Sequence, residues 1–218
     1  MLNLDLARAD GRPRTVLCLG AHCDDIEIGC GGTLLRLAHD PDTAIHFVVF
    51  SSNEERAAEA RRCAAAFIGE DKHRSITLHG FRDGFLPWSG ADVKSAFEDL
   101  KTRLNPDLVF THYAQDLHQD HRLVSELTWN TFRDHLILEY EIPKWDGDMG
   151  RPQAFVELEE GQCDHKVENL IECYASQSGK SWFNGDVFRS LARLRGMECN
   201  AESGMAEAFY CRKATLGL

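Results

Sequence analysis

No run of about 18 apolar residues occurs in the chain, so no membrane-spanning helix is expected. The start, Met1-Leu2-Asn3-Leu4-Asp5, lacks the basic opening and apolar core of a secretory signal. Lysine and arginine form no long block, and the formal charge is -11. Nucleic acid and anionic membrane surfaces reward clustered positive charge, so neither is expected as a partner. No C-x-x-C pair occurs among the eight cysteines, which leaves zinc-ribbon and thioredoxin motifs unsupported. Unpaired thiols and the missing signal together read as a reducing cytoplasm. Several cysteines fall inside apolar runs, where a thiol behaves as a small hydrophobe. Internal repeats and low-complexity segments are absent too. One domain over residues 1–218 is the expectation, and a hydrophobic content of 43% is ample for its core. A homo-oligomer stays open.

What is present is alternation. After a polar lead-in (residues 1–13), short apolar runs at 15–20, 44–50, 75–78, 108–111 and 136–140 read as strands. Amphipathic stretches between them read as helices: one beginning near Ile26, then 54–68, 91–104 and 121–134. Ser51-Ser52-Asn53 is an N-cap cluster, and Asn105-Pro106 is a stop. A sixth strand at 154–158, helices at 165–176 and 185–195, and a last strand at 207–213 complete the pattern. The fold class is α/β: a single Rossmann-like domain, a mostly parallel sheet with helices on both faces. Gly29, Gly31 and Gly32 would permit close backbone approach. In such sheets ligands sit beyond the C-terminal strand ends. Two polar clusters fall at those ends: His22-Cys23-Asp24-Asp25 after the first strand, and His118-Gln119-Asp120-His121 after the fourth.

Two imidazoles and a carboxylate, His22, His121 and Asp25, can bind Zn²⁺ and leave a position for water, whose pKa falls toward about 7. The same donors suit Fe²⁺ or another divalent ion. Asp24, beside Asp25 in one short turn, is better placed as a general base. His118, one helical turn before His121, would donate to a developing oxyanion or protonate a leaving amine. Asp120 would orient an imidazole, foremost His118. The chemistry this describes is metal-assisted amide hydrolysis.

Ala21-His22-Cys23-Asp24-Asp25-Ile26-Glu27 resembles the A-H-P-D-D-E motif of the PIG-L/LmbE-like zinc de-N-acetylases, and His118-Gln119-Asp120-His121 resembles that family's H-x-D-H motif. Similarity continues through Gly31-Gly32-Thr33-Leu34, Arg56-Ala57-Ala58-Glu59, residues 106–111 and Ser176-Gln177, and so covers nearly the whole chain. The resemblance implies zinc on His22, Asp25 and His121, Asp24 as base and His118 as acid or oxyanion partner. It also implies hydrolysis of an N-acetyl group on an amino sugar or its glycoside or nucleotide-linked form, releasing acetate and a free amine. Cys23 departs from the motif's proline, and Ile26 displaces its glutamate by one.

Weaker candidates surround this set. Arg56 resembles a pocket arginine of the family; Tyr140 and Lys144 follow the fifth strand on the ligand rim and read as substrate contacts. Loops carrying Asp83 and Trp88, and Lys180 and Trp182, would line or cover the site. Glu207 is a candidate supporting residue. Rival readings are hydrolysis of another small-molecule N-acyl amide, an Fe(II) oxygenase, and a catalytically silent sugar-binding protein. Against the oxygenase stand the strand–helix alternation and the spare Asp24.

Overall fold

The computed structural model describes residue 6 and residues 12–71 and 73–216. Most of the expected lead-in therefore lies outside the described residues.

Seven strands form one sheet among the described residues: β1 (Arg14–Gly20), β2 (Thr43–Ser51), β3 (Arg74–Phe81), β4 (Leu108–His112), β5 (Leu136–Tyr140), β6 (Ala154–Glu157) and β7 (Ala206–Tyr210). Their order is β3-β2-β1-β4-β5-β7-β6. The first five pair in parallel, whereas β7 runs antiparallel to both β5 and β6. The sheet is thus mostly parallel, with an antiparallel pair added at one edge.

Six α-helices cover it: α1 (Asp25–Ala38), α2 (Glu54–Ile68), α3 (Gly90–Arg103), α4 (Gln119–Thr131), α5 (Gln162–Cys173) and α6 (Gly185–Cys199). One apolar cluster joins α1, α2, α5 and α6 to one face through Ile26, Leu34, Phe67, Leu170 and Phe188. A second joins α3 and α4 to the other through Phe97, Val124 and Phe132. None of the helices among the described residues is long and apolar enough to cross a membrane.

Several boundaries move, for local reasons. Helix α4 starts at Gln119 rather than 121, because the His118 side chain accepts from the Asp120 N–H and caps it. Helix α5 runs three residues earlier than expected: Gly161, at φ 78°, sets its start, and the chain leaves it at Tyr174. Helix α6 continues past residue 195 to a left-handed Asn200 cap. The last strand ends at Tyr210, short of residue 213.

Helix α1 breaks at Cys30 (φ -142°, ψ 21°). The backbone N–H groups of Gly32 and Thr33 that the break exposes are both taken, at 2.7 Å, by the Glu207 carboxylate. Lys166 Nζ donates to that carboxylate at 2.7 Å and to the Ile28 carbonyl at 2.6 Å. The glycines admit close neighbours: a Cβ on Gly29 would lie 2.2 Å from the Tyr140 ring. The strand order reverses at β1, between β2 and β4. A doubly wound sheet opens its crevice at that point, beyond the C-terminal ends of β1 and β4.

Candidate metal centre

The turn after β1 and the loop after β4 meet in that crevice. His22 Nδ1 lies 3.1 Å from His121 Nε2 and 3.3 Å from an Asp25 oxygen, and His121 Nε2 lies 3.5 Å from the other Asp25 oxygen. Asp25 also accepts from the His22 backbone N–H at 2.6 Å, which closes the turn.

The partners on the far side of each ring assign its tautomer. His121 Nδ1 meets Asp116 Oδ2 at 2.9 Å, so it carries the proton and Nε2 is a lone pair. His22 Nε2 lies 3.1 Å from Asp83 and 3.3 Å from Asp120, so in the neutral ring its Nδ1 is a lone pair as well. With both rings neutral, two lone pairs and a carboxylate would face one another; burial lowers the His22 ring, but Asp25, Asp120 and Asp83 outweigh it and raise it well above its ordinary value, so a proton or a metal ion has to sit between these groups. A cation resolves such a conflict, and two imidazoles with one carboxylate are a donor set suited to zinc or a neighbouring divalent metal. The residues fit a metal on this ground.

Ionisation follows the same arrangement. Burial raises the Asp25 carboxyl, but His121, His112 and His22 outweigh it and hold the group well below the usual range. Burial, with His112 adding to it, pushes His121 down to about 3, which keeps the ring neutral.

Asp24 is the N-cap residue of α1, yet its side chain makes no cap bond. One oxygen accepts from Arg56 at 2.7 Å, and the other, Oδ2, is buried without a partner among the described residues. Burial raises this carboxyl against the pull of Arg56. Arg56 is itself held by Glu59 (2.8 Å) and Ser176 Oγ (3.2 Å) and lies over the Tyr174 ring. His118 accepts the Asp120 N–H at Nδ1, which leaves Nε2 as its N–H donor. Its ring centroid stands 5.0 Å from that of His22 and 4.6 Å from that of His121.

Three expectations need correction. Asp120 does not orient His118: its carboxylate meets His22 and accepts the Gly84 and Leu86 N–H groups, fixing the loop that carries Asp83. Tyr140 is not a substrate contact; it is fully buried over Gly29 and donates to the Leu19 carbonyl at 2.7 Å. Lys144 is turned inward as well, onto Asp116 (2.9 Å) and Asp148. It reaches the cluster through Asp116. Glu207 is distant in role, pinning the break in α1. Cys23 is buried, and burial lifts its thiol to about 12, so it packs rather than reacts.

Two residues were missed. His112, the last residue of β4, is fully buried with Nε2 3.2 Å from Asp25 and its ring stacked on His121. It accepts the Ala21 N–H at 2.9 Å, tying the two loops together. Asp116 orients His121 and caps the His118 N–H at 2.8 Å. The available signal was chemical: a ligating histidine needs an acceptor behind it, and Asp116 lies in the same loop.

A family profile described as PIG-L, GlcNAc-PI de-N-acetylase, matches residues 17–132. The uncharacterized deacetylase YaiS of Escherichia coli K12 is 32% identical over 173 residues, covering 73% of this chain and 90% of that one. Among solved structures, the N,N'-diacetylchitobiose deacetylase of Pyrococcus horikoshii superposes with a TM-score of 0.67 at 20% identity, over 90% of this chain and 82% of that one. GalB, the 4-carboxy-2-hydroxymuconate hydratase of Pseudomonas putida KT2440, gives 0.76 at 18% identity, over 94% and 98%. The fold is shared with enzymes of more than one chemistry.

Proposed function

The chain belongs to the PIG-L, GlcNAc-PI de-N-acetylase, family, and from that premise we propose that it is a zinc-dependent hydrolase of an N-acetyl group on a small amino sugar or its glycoside or nucleotide-linked form. The observation that carries the reading is the set of three facing acceptors with an unpartnered Asp24 oxygen beside them. His22, Asp25 and His121 would hold the zinc. When bound, it supplies a Lewis acid that makes water acidic enough to ionise near neutral pH.

The chain's own groups account for the rest. Asp24 Oδ2 accepts the proton of the attacking water, whose oxygen bonds to the acyl carbon. Its raised pKa makes it a stronger base than an exposed carboxylate. Arg56 holds the other oxygen and so fixes the direction of Oδ2. His118 Nε2–H donates to the carbonyl oxygen as it gains charge. The C–N bond then breaks, the nitrogen takes up a proton, and acetate and a free amine leave. Asp116 and Asp120 keep the two ring tautomers in place. Eight thiols with no disulfide support a reducing, cytoplasmic setting for this chemistry.

The test is acetate release from N-acetylated amino sugars and their glycosides and nucleotide forms. It should require metal, cease on chelation, and fall sharply in Asp24→Ala. Binding of a sugar without release, in metal-loaded protein, would instead favour a silent binding protein on this scaffold.

A further inference from the structure

A second cleft lies on another side of α4. Arg122, Ser125, Glu126 and Trp129 recur at i, i+3, i+4 and i+7 and so form one stripe. The stripe is offset by one residue, about 100° round the helix, from His121. With Ala114, Asn130 and Arg212 it borders an open cleft of about 520 Å³. Sites for small molecules commonly measure about 300–1,000 Å³.

Ser125 is 1% exposed, and its Oγ has no partner among the described residues. A serine inside a helix often returns its hydroxyl to the carbonyl four residues back. Thr128 does so to Val124, one turn further on; Ser125 does not. Ser125 belongs to the wall of the cleft, and a buried hydroxyl without a partner is unfavourable until one reaches it. Arg212 lays its guanidinium over the Trp129 ring, 4.8 Å from the centroid, and its charge acts on the buried Glu139 carboxylate that the Trp129 N–H meets. Arg122 uses one amino group on the Asp116 and Leu117 carbonyls and has no carboxylate partner among the described residues. Glu126 is the acidic member of the lining, and Glu139, buried behind Trp129, is already held by the Ala114 and Trp129 N–H groups.

We propose that this cleft binds a small phosphate ester. Arg212 and Arg122 supply the counter-charge, and the Ser125 hydroxyl donates to the phosphate oxygens, as does the second N–H of the Asn130 carboxamide, whose first is held by the Glu126 carbonyl at 2.9 Å. Guanidinium groups match phosphate geometry, and two of them with a hydroxyl exceed what one carboxylate requires. The volume left over takes the sugar or nucleoside body, alongside the Trp129 edge. In a chain of charge -11, such local positive charge is the means by which an anion would be held.

The experiment is calorimetric titration of the full chain with glucose 6-phosphate, AMP and inorganic phosphate, with glucose and adenosine as uncharged controls. A phosphate ester should bind with Kd below about 1 mM, and the uncharged controls should not. Arg212→Gln should weaken it about tenfold, Ser125→Ala by a smaller factor, and Arg212→Gln should keep its deacetylase rate. The ester that binds more tightly identifies the body. Failure of every phosphate probe at millimolar concentration would overturn the proposal. So would binding undiminished in Arg212→Gln, which places the anion elsewhere, the metal cluster included. A dimer dissolved by Arg212→Gln in sedimentation, with no probe bound, would show the cleft to be a contact between copies instead.

Discussion

Two buried ionic clusters flank the β1–β4 crevice, and they differ in one respect. In the network between α1, α5, α6 and β7 the carboxylates of Glu207 and Glu141 meet their donors, whereas Glu27 of α1 keeps one oxygen unpartnered among the described residues and burial lifts its carboxyl to about 8. Glu207 takes Gly32, Thr33 and Lys166; Glu141 takes Arg195 twice at 2.7 Å and Tyr210 at 3.3 Å. In the cluster of His22, Asp25 and His121, acceptors outnumber donors, and Asp24 Oδ2 has none. Both are buried. The balance of donors separates a brace from a seat for a cation, because an unpaired buried acceptor persists only where something else will meet it.

The sharpest way to break this comparison is Asp24→Asn. It should cut acetate release by about 10²–10⁴ while zinc content, measured by elemental analysis, stays level. Loss of zinc instead would make Asp24 a ligand. Opening the closed network should act on stability. Glu207→Ala leaves Lys166 and two backbone donors unmatched and should cost about 3–5 kcal/mol in urea unfolding. An unchanged midpoint would mean the network is no brace. Next comes Asp116→Asn, which leaves the three facing groups untouched and weakens the hold on His121. Zinc affinity, read by competition with a chromophoric chelator, should fall about 10–100-fold. Smallest is Tyr140→Phe, which deletes the buried hydrogen bond to Leu19 and the 3.3 Å contact with His112 Nε2. It should lower stability by about 0.5–1.5 kcal/mol and leave KM for the acetylated sugar unchanged. A raised KM would return Tyr140 to the pocket.

The clusters after β1 and β4 were legible because strand ends in a parallel sheet share one rim, and polar residues placed there have few other reasons to converge. Arg56 read from the sequence as a substrate contact; its grip on Asp24 depends on how α2 packs. His112 and Asp116 were hidden for opposite reasons. His112 reads as the end of an apolar strand, and Asp116 as an ordinary loop acid, until a ring is set in front of each. Tyr140 and Lys144 misled because position on the rim does not say which way a side chain turns. Gly29 was the clue to Tyr140, since a residue lacking a Cβ announces that something large lies against it. The reversed direction of β7 had no local signal, as strand polarity is decided by what the chain has already built.

The break in α1 adds a constraint in time. His22, Asp24, Asp25, His118 and His121 have all been synthesised by residue 121, but α1, which follows the first three, is held at its break by Glu207 on the Gly32 and Thr33 N–H groups and by Lys166 on the Ile28 carbonyl. Folding must therefore join the two ends of the chain before the centre is set, a contact of long sequence separation and correspondingly slow closure. A nascent chain that stops short of β7 carries every residue of the candidate centre and not yet the contact that holds α1 at its break.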